Sequence, residues 1–199
     1  ALAPKVNVLP LVIPLAVAYG YRVLDSVDGR WREISPPVVQ RVLAQALMAG
    51  GIAVPVFFAT APYVLLDFGA FVGDLATQAN MARNAGLFPF TIQYIDTQPF
   101  LYQFQQTAVW GLGLPLGPLA WAAIPFTAVM VLVRSHTRRA DLLLLAWVVP
   151  GLLIVESFEV RFQRYLFPFV PVMILMAARM LVWLVHLGRS MASPAALAE

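Results

Sequence analysis

The chain alternates between long apolar runs and shorter polar segments, and the runs are long enough to be membrane-spanning helices. A hydrocarbon core about 30 Å thick requires roughly 20 mostly apolar helical residues. On this basis the sequence predicts five spans, at about residues 6–24, 42–66, 107–133, 142–157 and 165–187. The predicted fold class is therefore all-α, a polytopic integral membrane protein with a single transmembrane domain over residues 1–199.

Prolines inside the apolar runs predict bends in the spans. Pro10 and Pro14 lie in the first run, and Pro55 lies in the second, where proline removes a helical hydrogen bond. Pro168 and Pro171 predict a kink near the external end of the fifth span. The fourth run is short for a full crossing and requires residues from its flanks.

The longest polar segment, residues 67–106, separates the second span from the third. From Phe68 to Ala82 its apolar residues recur at helical spacing, which predicts an amphipathic interfacial helix lying in the membrane surface. Asp67 is expected to cap or bound this helix, and Gly86 is expected to stop it.

Further along this segment, Thr97 is predicted to cap the next helix, with Pro99 in its first turn. Aromatic residues follow at the position where that helix would enter the lipid, as is typical of membrane interfaces. The predicted aromatic belt consists of Phe100, Tyr102, Phe104 and Trp110.

Arginines in the polar segments predict the orientation of the chain, because cytoplasmic loops are enriched in Lys and Arg near the spans. The segment 67–106 contains Arg83 alone against three aspartates, which fits the outer side. The other basic segments are then cytoplasmic, so the N-terminus lies outside and the C-terminus inside. Their arginines are Arg22, Arg30, Arg32, Arg41, Arg134, Arg138, Arg139 and Arg189.

This orientation predicts the sides from which two engineered cysteines react. The sequence contains no Cys, so cysteines placed singly at Gln93 and Ser135 can be labelled without background. We expect an impermeant thiol reagent to reach them from opposite sides of the membrane, because the third span lies between them. Labelling of both from the same side would contradict the five-span count.

Composition supports a membrane protein and excludes several functional classes. Hydrophobic residues make up 61% of the chain and charged residues only 12%, against about a quarter in soluble domains. The lack of Cys excludes disulfides, thiolate metal sites and a Cys nucleophile. The net charge of +3 includes no basic cluster, so no nucleic-acid partner is predicted.

Basic residues before the fifth span are candidates for binding a lipid phosphate. Arg164 and Tyr165 stand at the predicted external end of this span, where a guanidinium can hold a phosphate through two hydrogen bonds. Arg161 is a second candidate of the same kind. The alternative is a boundary arginine whose side chain extends to the interface.

Two carboxylates in the same segment allow two interpretations. Glu156 and Glu159 are three residues apart and would share a helix face, where they could serve as general acid and base. The alternative, which we favour, is that they pair with Arg161 and Arg164.

Arg179 is a charge inside the fifth span, and such residues are functional candidates. We favour a side chain that extends toward the cytoplasmic headgroups over a buried ion pair. His186 lies near the same end of the span. One lone His does not make a metal site, and no metal or cofactor is predicted.

Three segments of the sequence carry a resemblance to a known family. They are "APYVLLDFGAFVGDLATQANMARNAG" (61–86), "QYIDTQPFLYQFQQTAVWGLGLPLGPLAW" (93–121) and "ESFEVRFQRYLFPFVPVMILMAARML" (156–181). Together they resemble large bacterial members of glycosyltransferase family 39, polytopic enzymes of the GT-C type that include protein O-mannosyltransferases and aminoarabinose transferases.

The resemblance implies a transferase that takes a sugar from a polyprenyl-phosphate carrier at the outer face of the bacterial plasma membrane. In this family the catalytic carboxylate lies in an external loop near the N-terminus of a longer chain. The present sequence looks like a C-terminal portion without that loop, so no residue is assigned as catalytic. The segment 67–106 is expected to form an external lid, with Gln93, Tyr94, Thr97 and Tyr102 as its candidate residues.

The alternative function is a noncatalytic accessory subunit of a larger, energy-transducing membrane complex. The expected partners are membrane lipid and a polyprenyl-phosphate-linked sugar under the first hypothesis, and other membrane protein subunits under the second. An acidic external loop encoded upstream would favour the transferase, and a start codon directly before Ala1 would favour the accessory subunit.

Overall fold

The described part of the chain comprises residues 10–25, 35–133 and 137–191, in a computed structural model. Within these ranges the regular elements are helices and no strand is present, which confirms the all-α prediction. The α-helices are α1 (Val12–Asp25), α2 (Pro36–Thr60), α3 (Tyr63–Leu66), α4 (Phe68–Arg83), α5 (Leu101–Gln106), α6 (Gly113–Val133), α7 (Arg138–Glu156) and α8 (Val170–Met191).

Some predictions concern residues outside the described ranges. The first four residues of the first predicted span, 6–9, belong to this group. So do Arg30, Arg32, Arg134 and Ser135, which bear on the predicted orientation.

Among the described helices, three are long and apolar enough to cross a membrane: α2, α6 and residues Val170–Ser190 of α8. The shorter two have 21 residues, which corresponds to about 30 Å of helix. These helices indicate a membrane protein. The other two predicted spans coincide with α1, which has 14 residues, and α7, which starts with Arg138, Arg139 and Asp141 within its first four residues. The count of five spans stays a prediction.

Prolines shift two helix ends from their predicted positions. Helix α2 ends at Thr60 rather than at residue 66, because Pro62 disfavours helical backbone at the residue before it. Helix α8 begins at Val170 rather than at residue 165. Pro168 precedes it and Pro171 lies in its first turn, where proline is tolerated. The predicted kink inside the fifth span is therefore wrong.

The amphipathic segment after the second span forms α4, as the apolar spacing predicts. The Asp67 carboxylate caps this helix, since its Oδ1 accepts a hydrogen bond of 2.9 Å from the backbone N–H of Ala70. Helix α4 ends at Arg83, so Asn84 follows it and Gly86 is not its stop. Its location in the membrane surface stays a prediction.

The chain divides into two compact units, Ala1–Ile95 and Asp96–Glu199, and the boundary falls inside the segment 67–106. In the first unit α1 packs on α2, and α3 packs on α4. In the second unit α6 packs on both α7 and α8. The prediction of one transmembrane domain over the whole chain stays a prediction.

The second unit has an apolar core formed by α6, α7, α8 and the segment before α8. Gly151 of α7 faces the ring of Phe169, and a Cβ at position 151 would overlap that ring. The buried core residues are Ala120, Ala123, Val148, Leu152, Val155, Leu166, Phe169, Met173, Met176, Ala177 and Met180.

Helix α5 continues into a π-helix, Thr107–Gly111, and the chain reverses at Gly113, where φ is +79°. The π-helix then packs on α6 through very small residues. A Cβ at Gly117 would lie 2.5 Å from the Cα of Ala108 and 3.0 Å from its backbone nitrogen. Only glycine allows this approach of two backbones, as in closely packed membrane helices.

Candidate functional site

A buried polar cluster joins the start of α5 to the segment after α7. We define this cluster as Thr97, the backbone of Phe100, Glu156 and Arg161. Glu156 is the last residue of α7. The Arg161 guanidinium donates hydrogen bonds to the Thr97 hydroxyl (2.6 Å) and to the Glu159 carbonyl (3.2 Å), and its Nε lies 3.8 Å from Glu156 Oε2.

Both charges of this cluster are removed from solvent. The side chains of Arg161 and Glu156 are 7% and 2% exposed. Burying a charge is costly unless an opposite charge and hydrogen bonds compensate it. The preferred interpretation is confirmed for Glu156 and Arg161, whereas no ion pair of Arg164 with a described residue is present. Glu156 Oε1 has no hydrogen-bond partner among the described residues, so this oxygen can accept a further hydrogen bond.

The backbone at Phe100 has a rare conformation. Phe100 has φ 59° and ψ −47°, and the N–H of Leu101 donates to the carbonyl of Pro99 over 2.6 Å. These angles describe a γ-turn of the form that is rare and strained for residues other than glycine. The N–H of Phe100 donates to Glu156 Oε2 over 2.7 Å. The carboxylate of Glu156 therefore holds this turn.

This turn changes the predicted start of the following helix. Helix α5 begins at Leu101 and has no side-chain cap. The Thr97 hydroxyl accepts a hydrogen bond from Arg161 instead. The prediction that Thr97 caps the helix is therefore wrong, because the buried guanidinium engages its oxygen.

Arg164 is the exposed cation of the segment between α7 and α8. Its guanidinium lies 4.2 Å from the centre of the Phe162 ring and 5.7 Å from that of Tyr165, and the two rings meet edge to face. Arg164 forms no ion pair with any described residue. A guanidinium held on aromatic faces keeps its N–H groups available to an oxyanion.

The predicted lid residues have different surroundings. In the first unit, Gln93 is exposed and its amide donates to the Phe90 carbonyl (3.0 Å), whereas Tyr94 is buried. In the second unit, Thr97 and Tyr102 are both half-buried, and the Thr97 hydroxyl accepts the hydrogen bond from Arg161. Their role in an external lid stays a prediction, as do the lipid-binding roles of Arg164, Tyr165 and Arg161.

Arg179 forms an ion pair with Asp141, a residue that the sequence pattern did not single out. Its guanidinium donates to Asp141 Oδ2 (2.9 Å) and to the Thr137 hydroxyl (2.8 Å). Asp141 is fully buried, whereas the side chain of Arg179 is 31% exposed. The alternative of an ion pair is confirmed, and the favoured interpretation, a side chain extending to the headgroups, stays a prediction.

An apolar groove lies between α6 and α7. Its volume is about 220 Å³. Phe100 contributes part of its wall, so the strained turn and the groove share one residue. The groove is lined by Phe100, Trp121, Ile124, Pro125, Val149, Leu152 and Leu153.

Comparison with protein-family models, curated protein sequences and solved structures finds no match to this chain.

Proposed function

We propose that this chain is the membrane portion of a glycosyltransferase that takes a sugar from a polyprenyl-phosphate carrier at the outer face of a bacterial plasma membrane. The observation that carries this proposal is the joining of two segments that resemble the family. Thr97 and Arg161 are 64 residues apart and share a hydrogen bond. The side chain of Gln163 also donates to the carbonyl of Gln106, over 3.4 Å. Such contacts are expected if both segments build one binding surface.

Within this proposal, Arg164 binds the phosphate of the lipid carrier. Its exposed guanidinium is oriented by Phe162 and Tyr165, and two of its N–H groups can bind two phosphate oxygens. Arg161, the second candidate from the sequence, is not assigned to the phosphate in this proposal, because its guanidinium is buried and already engaged. It holds the segment that carries Arg164.

The proposed arrangement in the membrane has five spans, with α1 and α7 crossing in addition to the three long apolar helices. Helix α4 lies in the outer membrane surface, and the segment 67–106 faces the outside as a lid. The N-terminus is outside and the C-terminus is cytoplasmic. This orientation brings Arg164 to the outer interface, where the phosphate of a carrier lipid lies.

Replacing Arg164 by methionine tests the proposed phosphate site. We expect Arg164→Met to weaken the binding of a polyprenyl phosphate to the purified chain about tenfold or more, because a hydrogen bond to a charged group contributes about 1.5–3 kcal/mol. Arg164→Lys is expected to be intermediate, since an ammonium keeps the charge but lacks two parallel donors. The dissociation constant is measured by titration in liposomes.

The matched control is Arg83→Met, which removes another exposed arginine, at the end of α4. It should leave the dissociation constant unchanged. Competition by inorganic phosphate alone shows how far the headgroup accounts for the affinity. A wild-type chain that neither binds a polyprenyl phosphate nor consumes its sugar conjugate would overturn the proposal and leave the accessory-subunit alternative.

A further inference from the structure

The turn at Phe100 holds a backbone conformation that its residue type disfavours. Its φ of 59° lies in the region where a Cβ crowds the neighbouring carbonyl, so glycine is the residue that adopts it freely. A strained conformation persists only when its surroundings enforce it. The contacts that enforce this one can be identified from the residues around it.

Glu156 supplies the direct contact, and Arg161 fixes Glu156. The carboxylate accepts the Phe100 N–H over 2.7 Å, which is a short, charge-assisted hydrogen bond. Arg161 lies next to the same carboxylate oxygen and also binds Thr97, three residues before Phe100. The turn is therefore held at two places, at Phe100 by Glu156 and at Thr97 by Arg161.

Phe100 connects this turn to the apolar groove between α6 and α7. It contributes to the groove wall together with Trp121 on α6 and Leu153 on α7. A change of φ at Phe100 to the ordinary negative range swings the side chain to a different direction, because the Cα–Cβ bond moves with the backbone. The state of the turn then sets the shape of the groove.

We propose that Glu156 is a latch that keeps Phe100 in its left-handed conformation and thereby keeps the Phe100 ring in the wall of the α6–α7 groove. Loss of the Glu156 contact removes the charge-assisted hydrogen bond at Phe100, and backbone strain then favours movement of the ring. Through Glu156, the segment that contains Arg161 is connected with the groove between α6 and α7. It depends on the fold alone and does not rest on the proposed glycosyltransferase activity.

The natural lack of cysteine makes the latch testable by thiol labelling. A single cysteine replaces Ile124, a half-buried residue of the groove, and its reaction with a membrane-soluble maleimide is timed in liposomes. We expect Glu156→Gln to raise this rate several-fold, because the amide keeps the size of the carboxylate but loses the charge that holds the Phe100 N–H and Arg161. Phe100→Gly is expected to raise the rate as well, since it removes the ring.

A second cysteine shows whether a faster reaction comes from opening of the groove or from partial unfolding of the whole unit. Met176→Cys lies in the apolar core and is 1% exposed. Its reaction rate should not respond to Glu156→Gln. An unchanged rate at Ile124→Cys, or an equal rise at both cysteines, would overturn the latch. If Glu156→Gln does not fold, Thr97→Val serves instead, because it removes one hydrogen bond of Arg161 and should give a smaller rise at Ile124→Cys alone.

Phe100 also offers a direct measure of strain. Because only glycine adopts the left-handed turn without a steric penalty, we expect Phe100→Gly to unfold at a higher temperature than Phe100→Ala. We further expect Glu156→Gln to lower the melting temperature less in the Phe100→Gly background than in the wild type. Equal melting temperatures for the two Phe100 variants would show that the turn is not strained and would overturn the latch.

Discussion

Replacing Arg179 by methionine is expected to lower the free energy of unfolding by about 3–5 kcal/mol, the usual effect of removing one partner from a buried ion pair. Asp141 is fully buried, and among the described residues its carboxylate would keep only the Thr137 hydroxyl as a partner. Methionine preserves much of the length and apolar volume of the arginine stem. The free energy of unfolding can be measured by denaturant titration of the purified protein in detergent.

Substitution of Asp141 provides a control, because Asp141 is fully buried whereas Arg179 is partly exposed. Asp141→Asn leaves the Arg179 guanidinium without its carboxylate, but Arg179 is 31% exposed and can still reach polar groups outside the core. We therefore expect Asp141→Asn to destabilise the protein less than Arg179→Met does. Equal effects of the two variants, or a larger effect of Asp141→Asn, would contradict this account.

Gly117→Ala is expected to destabilise the second unit by at least about 1–3 kcal/mol, the usual range for overpacking. The added methyl group would lie 2.5 Å from the Cα of Ala108 and 3.1 Å from the carbonyl oxygen of Thr107. These are backbone atoms, so no rotamer change relieves the overlap and the π-helix must move away from α6. Thermal unfolding followed by circular dichroism measures the loss.

The matched control is Gly50→Ala in the middle of α2. A Cβ at Gly50 would meet no atom within 4 Å, so this substitution tests helix propensity alone. It should stabilise the protein by roughly 0.5–1 kcal/mol, because alanine favours a helix more than glycine does. If Gly117→Ala behaves like Gly50→Ala, the close packing of the π-helix on α6 is not present in solution.

The helical class could be predicted from the sequence because it depends on local properties. Long apolar runs leave only helices as a way to satisfy the backbone in lipid. The spacing from Phe68 to Ala82 likewise predicted α4, and Asp67 was correctly expected to be its cap. The errors at Pro62 and Pro168 concern helix ends, where one proline outweighs the hydrophobicity of the run around it.

The candidate site could be predicted only in part, because its contacts join residues far apart in the chain. The pairing of Glu156 with Arg161 was accessible, since the two residues are close in sequence. The bond from Arg161 to Thr97 spans 64 residues, and the ion pair of Arg179 with Asp141 spans 38. A hydrophobicity pattern contains no information on which polar residues meet after the helices pack.

The strained turn at Phe100 was missed for a different reason. A left-handed backbone is usually signalled by glycine or asparagine, and the stretch from Pro99 to Leu101 contains neither. The conformation is imposed from outside by the carboxylate of Glu156. Residue preferences alone favoured a helix that starts earlier, with Pro99 in its first turn.

The ion pair between α7 and α8 has a consequence for the biogenesis of the protein. Ribosomes make α7 before α8, so Asp141 is synthesised 38 residues ahead of the arginine that neutralises it. If α7 crosses the membrane, as proposed above, its carboxylate stays near water or headgroups until Arg179 has been made. In that case α7 reaches its final depth only together with α8.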